Sequence, residues 1–390
     1  RPAPADSSRV GTQQRYVVVA VRCRSLAIFC FYKERSNLSN NYYLPLRRFF
    51  IFTPILIPMQ ITWQIVRLQL KETFSISYGS YSFREALIIS LSKNGKIGYG
   101  ECTAIDYYGI NLADFTQKLA EIQALIEKQS INYPSEFYVF LESLQLHSFL
   151  RSALDCAYWD LFGKLENKSF LELNSIEVKQ LPESSITISV APIEEQLQKI
   201  AKSDWNKFKV KWNHYDEKAL DLLLNCEKGI ALDANGSFSI SECQQLEENP
   251  LSAQFTYIEQ PMKTGISNYS HLNASKFANW MADEDCQEQT KLSDLKSHYK
   301  TINIKLVKTG GLTPALQLIK EAQANNFKIM IGCMTESTVG ISAGAVLVPL
   351  VDYVDLDGAN LIANDIAFGS TIEKGKVLLS EKVGLGISLK

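Results

Sequence analysis

Two lysines sit two residues apart in the apolar run Phe208-Lys209-Val210-Lys211-Trp212. On a β-strand both ammonium groups point to the same side. Like charges so close weaken each lysine's hold on its proton, and a lysine that gives up its proton readily is a base. Taken alone, the pair reads better as a solvated feature of an edge strand. The chain downstream changes that reading, because it repeats this kind of strand end with carboxylates and one more lysine.

Strand-like runs recur at Ile186–Val190, Phe208–Lys211, Ile230–Asp233, Thr256–Glu259, Trp280–Asp283, Ile302–Lys305, Lys328–Gly332 and Tyr353–Asp357. Helical patterns at Ile193–Lys202, Glu217–Cys226, Ser239–Asn249 and Pro314–Asn325 lie between them. The repeat of about 22–26 residues is the length of one strand plus one helix in a parallel barrel. Eight such units in succession predict an α/β barrel. Lys211, Asp233, Glu259, Asp283 and Lys305 each close an apolar strand at its C-terminal end, the face on which barrel enzymes place their chemistry.

Asp233, Glu259 and Asp283 come from three consecutive strands, and three unpaired carboxylates would repel one another and lose ionisation. A hard divalent cation bound through oxygen resolves the repulsion, and Mg²⁺ fits best. No histidine is placed to join them, since His147, His214, His271 and His298 all lie away from the strand ends, which argues against zinc or iron. Lys211 and Lys305 fall on the second and sixth strands, on opposite sides of the mouth. Two such bases can move a proton from one face of a substrate carbon to the other, and Mg²⁺ with Lys209 is expected to depress their pKa values toward neutrality. Lys308, past the strand end, is expected to meet solvent.

The chain has 390 residues and a formal net charge of -2, so neither nucleic acid nor an anionic membrane is implied as a partner. Its eight cysteines form no CxxC pair, which suits free thiols in a reducing compartment and a cytoplasmic location. Residues 1–58 are strongly basic, and their apolar runs Tyr16–Val21 and Phe49–Pro58 are too interrupted to reach the ~18 residues a span requires. The expectation is a native start at Met59, with 1–58 a non-native or disordered extension. Residues 59–185 read as a small α+β unit. Its strands are Ile61–Leu70, Ala86–Ser92 and Ile97–Glu101, the last two joined by an Asn94-Gly95 turn. Helices follow at Asn111–Lys128, Pro134–Leu146 and Phe149–Lys164, with Asp155 and Asp160 expected to be structural. Aromatic, glycine-containing stretches at Tyr78–Phe83 and Ile105–Ile110 are candidate lid loops.

Several stretches resemble the enolase superfamily, in its muconate-lactonizing subgroup. They are Lys209-Val210-Lys211, Leu232-Asp233-Ala234-Asn235, Ile258-Glu259-Gln260-Pro261, Met281-Ala282-Asp283-Glu284, Asn303-Ile304-Lys305-Leu306, Lys308-Thr309-Gly310-Gly311-Leu312 and the Arg151–Lys164 helix. The resemblance implies a (β/α)7β barrel over 186–360, an α+β capping domain over 59–185, and a C-terminal segment, 361–390, that returns to the cap. It also implies Mg²⁺ on Asp233, Glu259 and Asp283, with acid/base lysines at 211 and 305. Asp355-Leu356-Asp357 resembles the Asp-x-Asp of the dipeptide epimerases, in which the pair grips a substrate ammonium. Ile331-Gly332-Cys333-Met334-Thr335-Glu336 is similar to that family too, so Cys333, Thr335 and Thr187 by analogy line the dipeptide, and Lys209 is expected to neutralise a carboxylate oxygen.

The activity so implied is Mg-dependent epimerisation of a dipeptide at the α-carbon of its C-terminal residue, in a chain expected to form a homo-oligomer. The rivals are an o-succinylbenzoate synthase or N-acylamino-acid racemase on the same frame, and a non-catalytic dipeptide-binding barrel. Two departures from the family pattern stand out. Asp285 occupies a position usually small. Gly79 stands where Ala-Glu epimerases carry an arginine, with Arg84 assigned to the next strand. With Tyr78, Tyr81 and Phe83 nearby, apolar or mixed substrate side chains are expected.

Overall fold

The computed structural model describes residues 58–76 and 79–390, and the backbone of two strands before them, β1 (Tyr16–Cys23) and β2 (Leu26–Lys33). The chain divides into two units, Arg1–Ile57 and Pro58–Lys390. In the first, β1 and β2 pair antiparallel, Tyr16 opposite Lys33. The remainder of the 1–58 expectation lies outside the described residues.

The second unit opens on an antiparallel sheet of β3 (Gln60–Ile76), β4 (Gly79–Lys93) and β5 (Lys96–Thr103). Asn94 and Gly95 both take left-handed φ, 49° and 73°, as a two-residue hairpin turn requires. The first hairpin runs further than the sequence suggested. Pairing resumes beyond a bulge between Gln69 and Phe74, where Phe74 meets Tyr81. Tyr81 and Phe83 are therefore strand residues and not part of a lid loop. Phe74 and Tyr81 pack with Leu68, Ile88 and Ile362 in a small cluster, and that burial extends the ribbon. Tyr78 lies outside the described residues.

Helices α1 (Leu112–Glu127), α2 (Pro134–Ser143) and α3 (Ser148–Glu166) pack on this sheet around a core that includes Leu87, Ile89, Leu119, Phe137, Phe149 and Tyr158. Contact between α3 and β5 is close enough to exclude side chains. A Cβ on Gly100 would lie 1.9 Å from the Ala153 carbonyl oxygen, and one on Gly98 2.2 Å from that of Ala157.

After a short α4 (Phe170–Asn174) come the eight strands β6 (Ile186–Ile188), β7 (Lys207–Lys211), β8 (Gly229–Asp233), β9 (Ile258–Glu259), β10 (Trp280–Ala282), β11 (Thr301–Lys305), β12 (Lys328–Gly332) and β13 (Tyr353–Asp355). They form one parallel sheet in chain order. Ser184 bridges to Val354 and Ser185 N donates to its carbonyl at 3.0 Å, drawing the last strand to the first and nearly closing a barrel. Between the strands run α5 (Ile193–Lys202), α6 (Glu217–Leu224), α7 (Ile240–Glu248), the single turns α8 (Ile266–Tyr269), α9 (Leu292–Leu295) and α10 (Leu306–Thr309), then α11 (Leu312–Ala324) and α12 (Thr338–Ala345).

The inward-facing positions explain where polar chemistry can sit. Ala231, Tyr257, Met281 and Met330, with Tyr353, form an apolar plug inside the strands. Two residues on, the same inward phase is occupied by Asp233, Glu259, Asp283, Gly332 and Asp355. Strands β14 (Ala367–Phe368) and β17 (Ser388–Leu389) pair near the end of the chain, as do β15 (Thr371–Glu373) and β16 (Lys376–Leu378). That segment is tied to α3, since Asp160 Oδ1 accepts from Leu385 N at 2.8 Å and Lys164 Nζ donates to Ile387 O at 2.8 Å. No helix among the described residues is long and apolar enough to cross a membrane.

Candidate active site

Strand register brings the polar ends together. Lys211 pairs across the ladder with Asp233, and Asp233 with Glu259. Lys211 Nζ donates to Asp233 Oδ2 at 2.6 Å and to Asn235 Oδ1 at 2.9 Å. Lys305 Nζ donates to Asp283 Oδ2 at 2.7 Å. Lys209 pairs with Asp355, and its Nζ also stands 3.5 Å from Asp233 Oδ2 and 3.4 Å from Glu259 Oε2. Thr187, Lys209, Lys211, Lys305, Cys333, Thr335, Asp355 and Asp357 all line one cavity open to solvent. Asp233, Glu259 and Asp283 are fully buried and do not line it.

One expectation changes. Lys308 does not meet solvent: it is buried, and its Nζ donates to Asp283 Oδ1 at 2.5 Å and to Asn303 O at 3.1 Å. The carboxylates by themselves raise the lysine pKa values at two positions. Burial works against the charge of Lys209, but Asp355, Glu259 and Asp233 outweigh it and push its pKa well up. Lys305 is likewise raised, with burial overcome by Asp283 and Glu259. Finally, no three acidic, histidine or cysteine side chains among the described residues form a ready metal-ligand cluster. Ammonium groups are interleaved with the carboxylates instead.

The donor set still fits a hard cation. Glu259 Oε2 is buried without a hydrogen-bond partner, while Asn303 Nδ2 donates to Oε1 at 2.8 Å. Burial and the neighbouring Asp233 push the Glu259 pKa up to about 8. Lys209 Nζ, 3.4 Å from Glu259 Oε2, is shared with Asp233 and Asp355, so the carboxylates of neighbouring strands remain short of compensating charge. Asp233, Glu259 and Asp283 are the residues that could supply oxygen ligands to Mg²⁺.

Asp285, where a small residue was expected, ties this group together from behind. Its Oδ2 accepts from Gln260 Nε2 and from the Tyr299 hydroxyl, each at 2.8 Å. Gln260 Oε1 in turn accepts from Asp283 N at 3.0 Å. On the eighth strand, Asp355 Oδ1 accepts from Ser185 Oγ at 2.8 Å and Asp357 Oδ2 from Thr187 N at 2.7 Å. Burial, with Asp355 beside it, pushes the Asp357 pKa up to about 6. Asp355 is already paired with Lys209, so Asp357 is the freer carboxylate of the two.

Sequence reasoning gave no role to Asn235 and Asn303, and it set Arg84 aside in the next strand. Asn303 precedes Lys305 by two and Asn235 follows Asp233 by two, so the strand period could have found both. Arg84 carried no such signal, because its strand was expected to begin at Ala86. It is buried on β4 with Nε unpartnered, lies 3.5 Å over the Tyr81 ring, and lines the cavity beside Phe74, Ile105 and Tyr108.

Residues 193–390 match the enolase C-terminal domain-like family. This chain belongs to the enolase superfamily. Within the superfamily it lies among the dipeptide epimerases. It is 38% identical over 342 residues to an L-Ala-D/L-amino acid epimerase of Maribacter sp., a match covering 85% of the chain and 99% of that protein. It is 35% identical over 337 residues to an L-Ala-D/L-amino acid epimerase of Flavobacterium johnsoniae, covering 85% and 100%. The enolase fold is seen in the dipeptide epimerase of Methylococcus capsulatus, solved with Mg and L-Arg-D-Lys, at a TM-score of 0.76 and 24% identity over 85% of this chain and 99% of that one.

Proposed function

We propose that this enolase-superfamily member epimerises dipeptides at the α-carbon of the C-terminal residue by proton transfer between two lysines. The observation that carries the reading is the placement of Lys211 and Lys305. They lie four strands apart in an eight-stranded order, hence on opposite walls, and both line one cavity. One lysine, as the free amine, takes the α-proton. The electron pair left on carbon delocalises into the substrate carboxylate as an enediolate. The opposite lysine, as the ammonium, then returns a proton to the other face, and the roles exchange for the reverse reaction. Bound Mg²⁺ at Asp233, Glu259 and Asp283 supplies positive charge for the developing anion and offsets the carboxylate field that holds protons on the lysines.

Asp357, and with it Asp355, accepts the dipeptide's N-terminal ammonium. This favours a free dipeptide over an N-acylated or succinylbenzoate substrate, neither of which carries that charge. Arg84, whose Nε has no hydrogen-bond partner, adds a guanidinium to the cavity lining, which extends the expected side chains to acidic ones. A dipeptide library in D₂O with Mg²⁺ tests the whole reading. Mass gain at the α-carbon with inversion is expected, D357N is expected to raise KM for dipeptides, and replacement of Asp355 and Asp357 together by asparagine is expected to abolish turnover. No exchange with any dipeptide refutes the proposal.

Residues 59–185 with 361–390 are proposed to act as the cap over the 186–360 barrel, supported by the ties of Asp160 and Lys164 to the C-terminal segment. A cytoplasmic site accords with free thiols at all six described cysteines. Homo-oligomer formation is a proposal for light scattering to test.

A further inference from the structure

The third helix carries side chains that no proton-transfer step uses, and of the two lysine-bearing strands they reach the segment issuing from one only. Asp155 Oδ2 accepts from Thr313 N at 2.9 Å and its Oδ1 from Thr313 Oγ1 at 2.7 Å, while Trp159 Nε1 donates to the same hydroxyl at 2.9 Å. Arg151, one turn earlier, pairs with Glu288 in the loop after β10. Thr313 lies in the first turn of α11, just after Gly310-Gly311.

Between Lys305 and that point the chain folds tightly on itself. Gly310 N and Gly311 N both donate to Leu306 O at 2.9 Å, and Thr309 Oγ1 donates to Lys305 O at 3.3 Å. The two glycines let side chains of α2 and α3 come against this stretch of backbone. A Cβ on Gly311 would fall 2.4 Å from Asp155 Oδ2, and one on Gly310 2.9 Å from the Tyr138 hydroxyl. Their φ angles, 95° and 128°, are ones only glycine adopts without strain. Lys305 is thus the start of a short, internally bonded unit whose far end is fastened to α3.

Lys211 is held differently. Its ammonium meets Asp233 and Asn235, its carbonyl accepts from Gln196 Nε2 at 3.1 Å, and Trp212 N donates to Asp233 O at 3.0 Å. All of these partners belong to the barrel segment.

We infer that Asp155, through Thr313 and the glycine pair, is a positioning residue for Lys305 and not for Lys211. The inference rests on the two-lysine reading above, in which each base serves one face of the α-carbon. Loosening one base leaves proton removal at the other face in place, while delivery to the loosened side fails. The test compares D155N and T313V with wild type in D₂O, starting from each purified epimer of L-Ala-L-Glu and L-Ala-D-Glu. Deuterium in recovered substrate and in inverted product is followed by mass spectrometry and chiral separation.

From one epimer, the ratio of exchange without inversion to inversion should rise about tenfold or more in both variants; from the other epimer, exchange and inversion should fall together. T313S, which keeps the hydroxyl, should restore the wild-type ratio. T313V keeps the comparison available should D155N fold poorly. Equal losses of exchange and inversion from both epimers would reduce Asp155 to a purely structural part and overturn the inference, as would an unchanged ratio. Absence of exchange in the wild-type protein with every dipeptide would instead refute the epimerase reading itself.

Discussion

Arg84 and Asp357 are the two residues at which substrate recognition is most open to measurement. A buried guanidinium with an unpartnered Nε gains most from a carboxylate, because a charge-assisted pair replaces an unsatisfied donor. The wild-type protein should therefore prefer L-Ala-L-Glu over the isosteric L-Ala-L-Gln by about tenfold or more in kcat/KM. In R84Q that ratio should collapse toward one, and in R84K part of it should remain. Asp357 bears on the other end of the substrate. Its pKa, raised to about 6, leaves it ionised above that pH and protonated below. The ammonium contact is lost as pH falls through about 6, so KM for dipeptides should rise on that limb. D357N should show a raised KM with no such limb. The residues proposed as metal ligands and bases stood out in the sequence because each ends an apolar strand on the same phase. Arg84 was not, since its place at the cavity depends on how far β3 and β4 pair beyond their bulge.

Among the elements, β5 and α3 form the closest-fitted pair, and the fit is a backbone one. Ala153 and Ala157 meet Gly100 and Gly98 with no room for a methyl group. G100A should cost about 3 kcal/mol or more, read as a lowered urea midpoint, because the atoms in the way belong to the backbone of a buried helix. G95A, whose Cβ would meet nothing within 4 Å, should cost much less, its strain being limited to a positive φ at an exposed turn. Helix α3 was readable as a helical segment over Phe149–Lys164. Its hold on the chain after Lys305 was not, because Asp155 and Thr313 are 158 residues apart and nothing local marks them as partners.

At the scale of the whole molecule, the buried carboxylates of the barrel mouth make the fold a sensor of cations. Glu259, flanked by Asp233 and Asp283 and raised to about 8, is destabilising wherever it must ionise without added positive charge. Mg²⁺ should therefore raise the thermal midpoint near pH 8 by about 2–6 °C at concentrations well above its dissociation constant. E259Q, which keeps the side-chain shape and removes the charge, should lose most of that rise. Equal shifts in wild type and variant would show that the ion binds elsewhere.

The order of the barrel strands, the side of the barrel on which polar residues gather and the two lysines proposed as bases could be read from local sequence. They follow from the two-residue period of a strand and the length of one strand-helix unit, which neighbours in the chain impose on one another. The burial of Lys308, the raised pKa values of Lys209 and Lys305, the pairing of Asp355 and the reach of Arg84 were decided only by tertiary structure. Each depends on charges and surfaces from distant segments meeting in a medium of low polarity, where what surrounds a group counts for more than what precedes it in the chain.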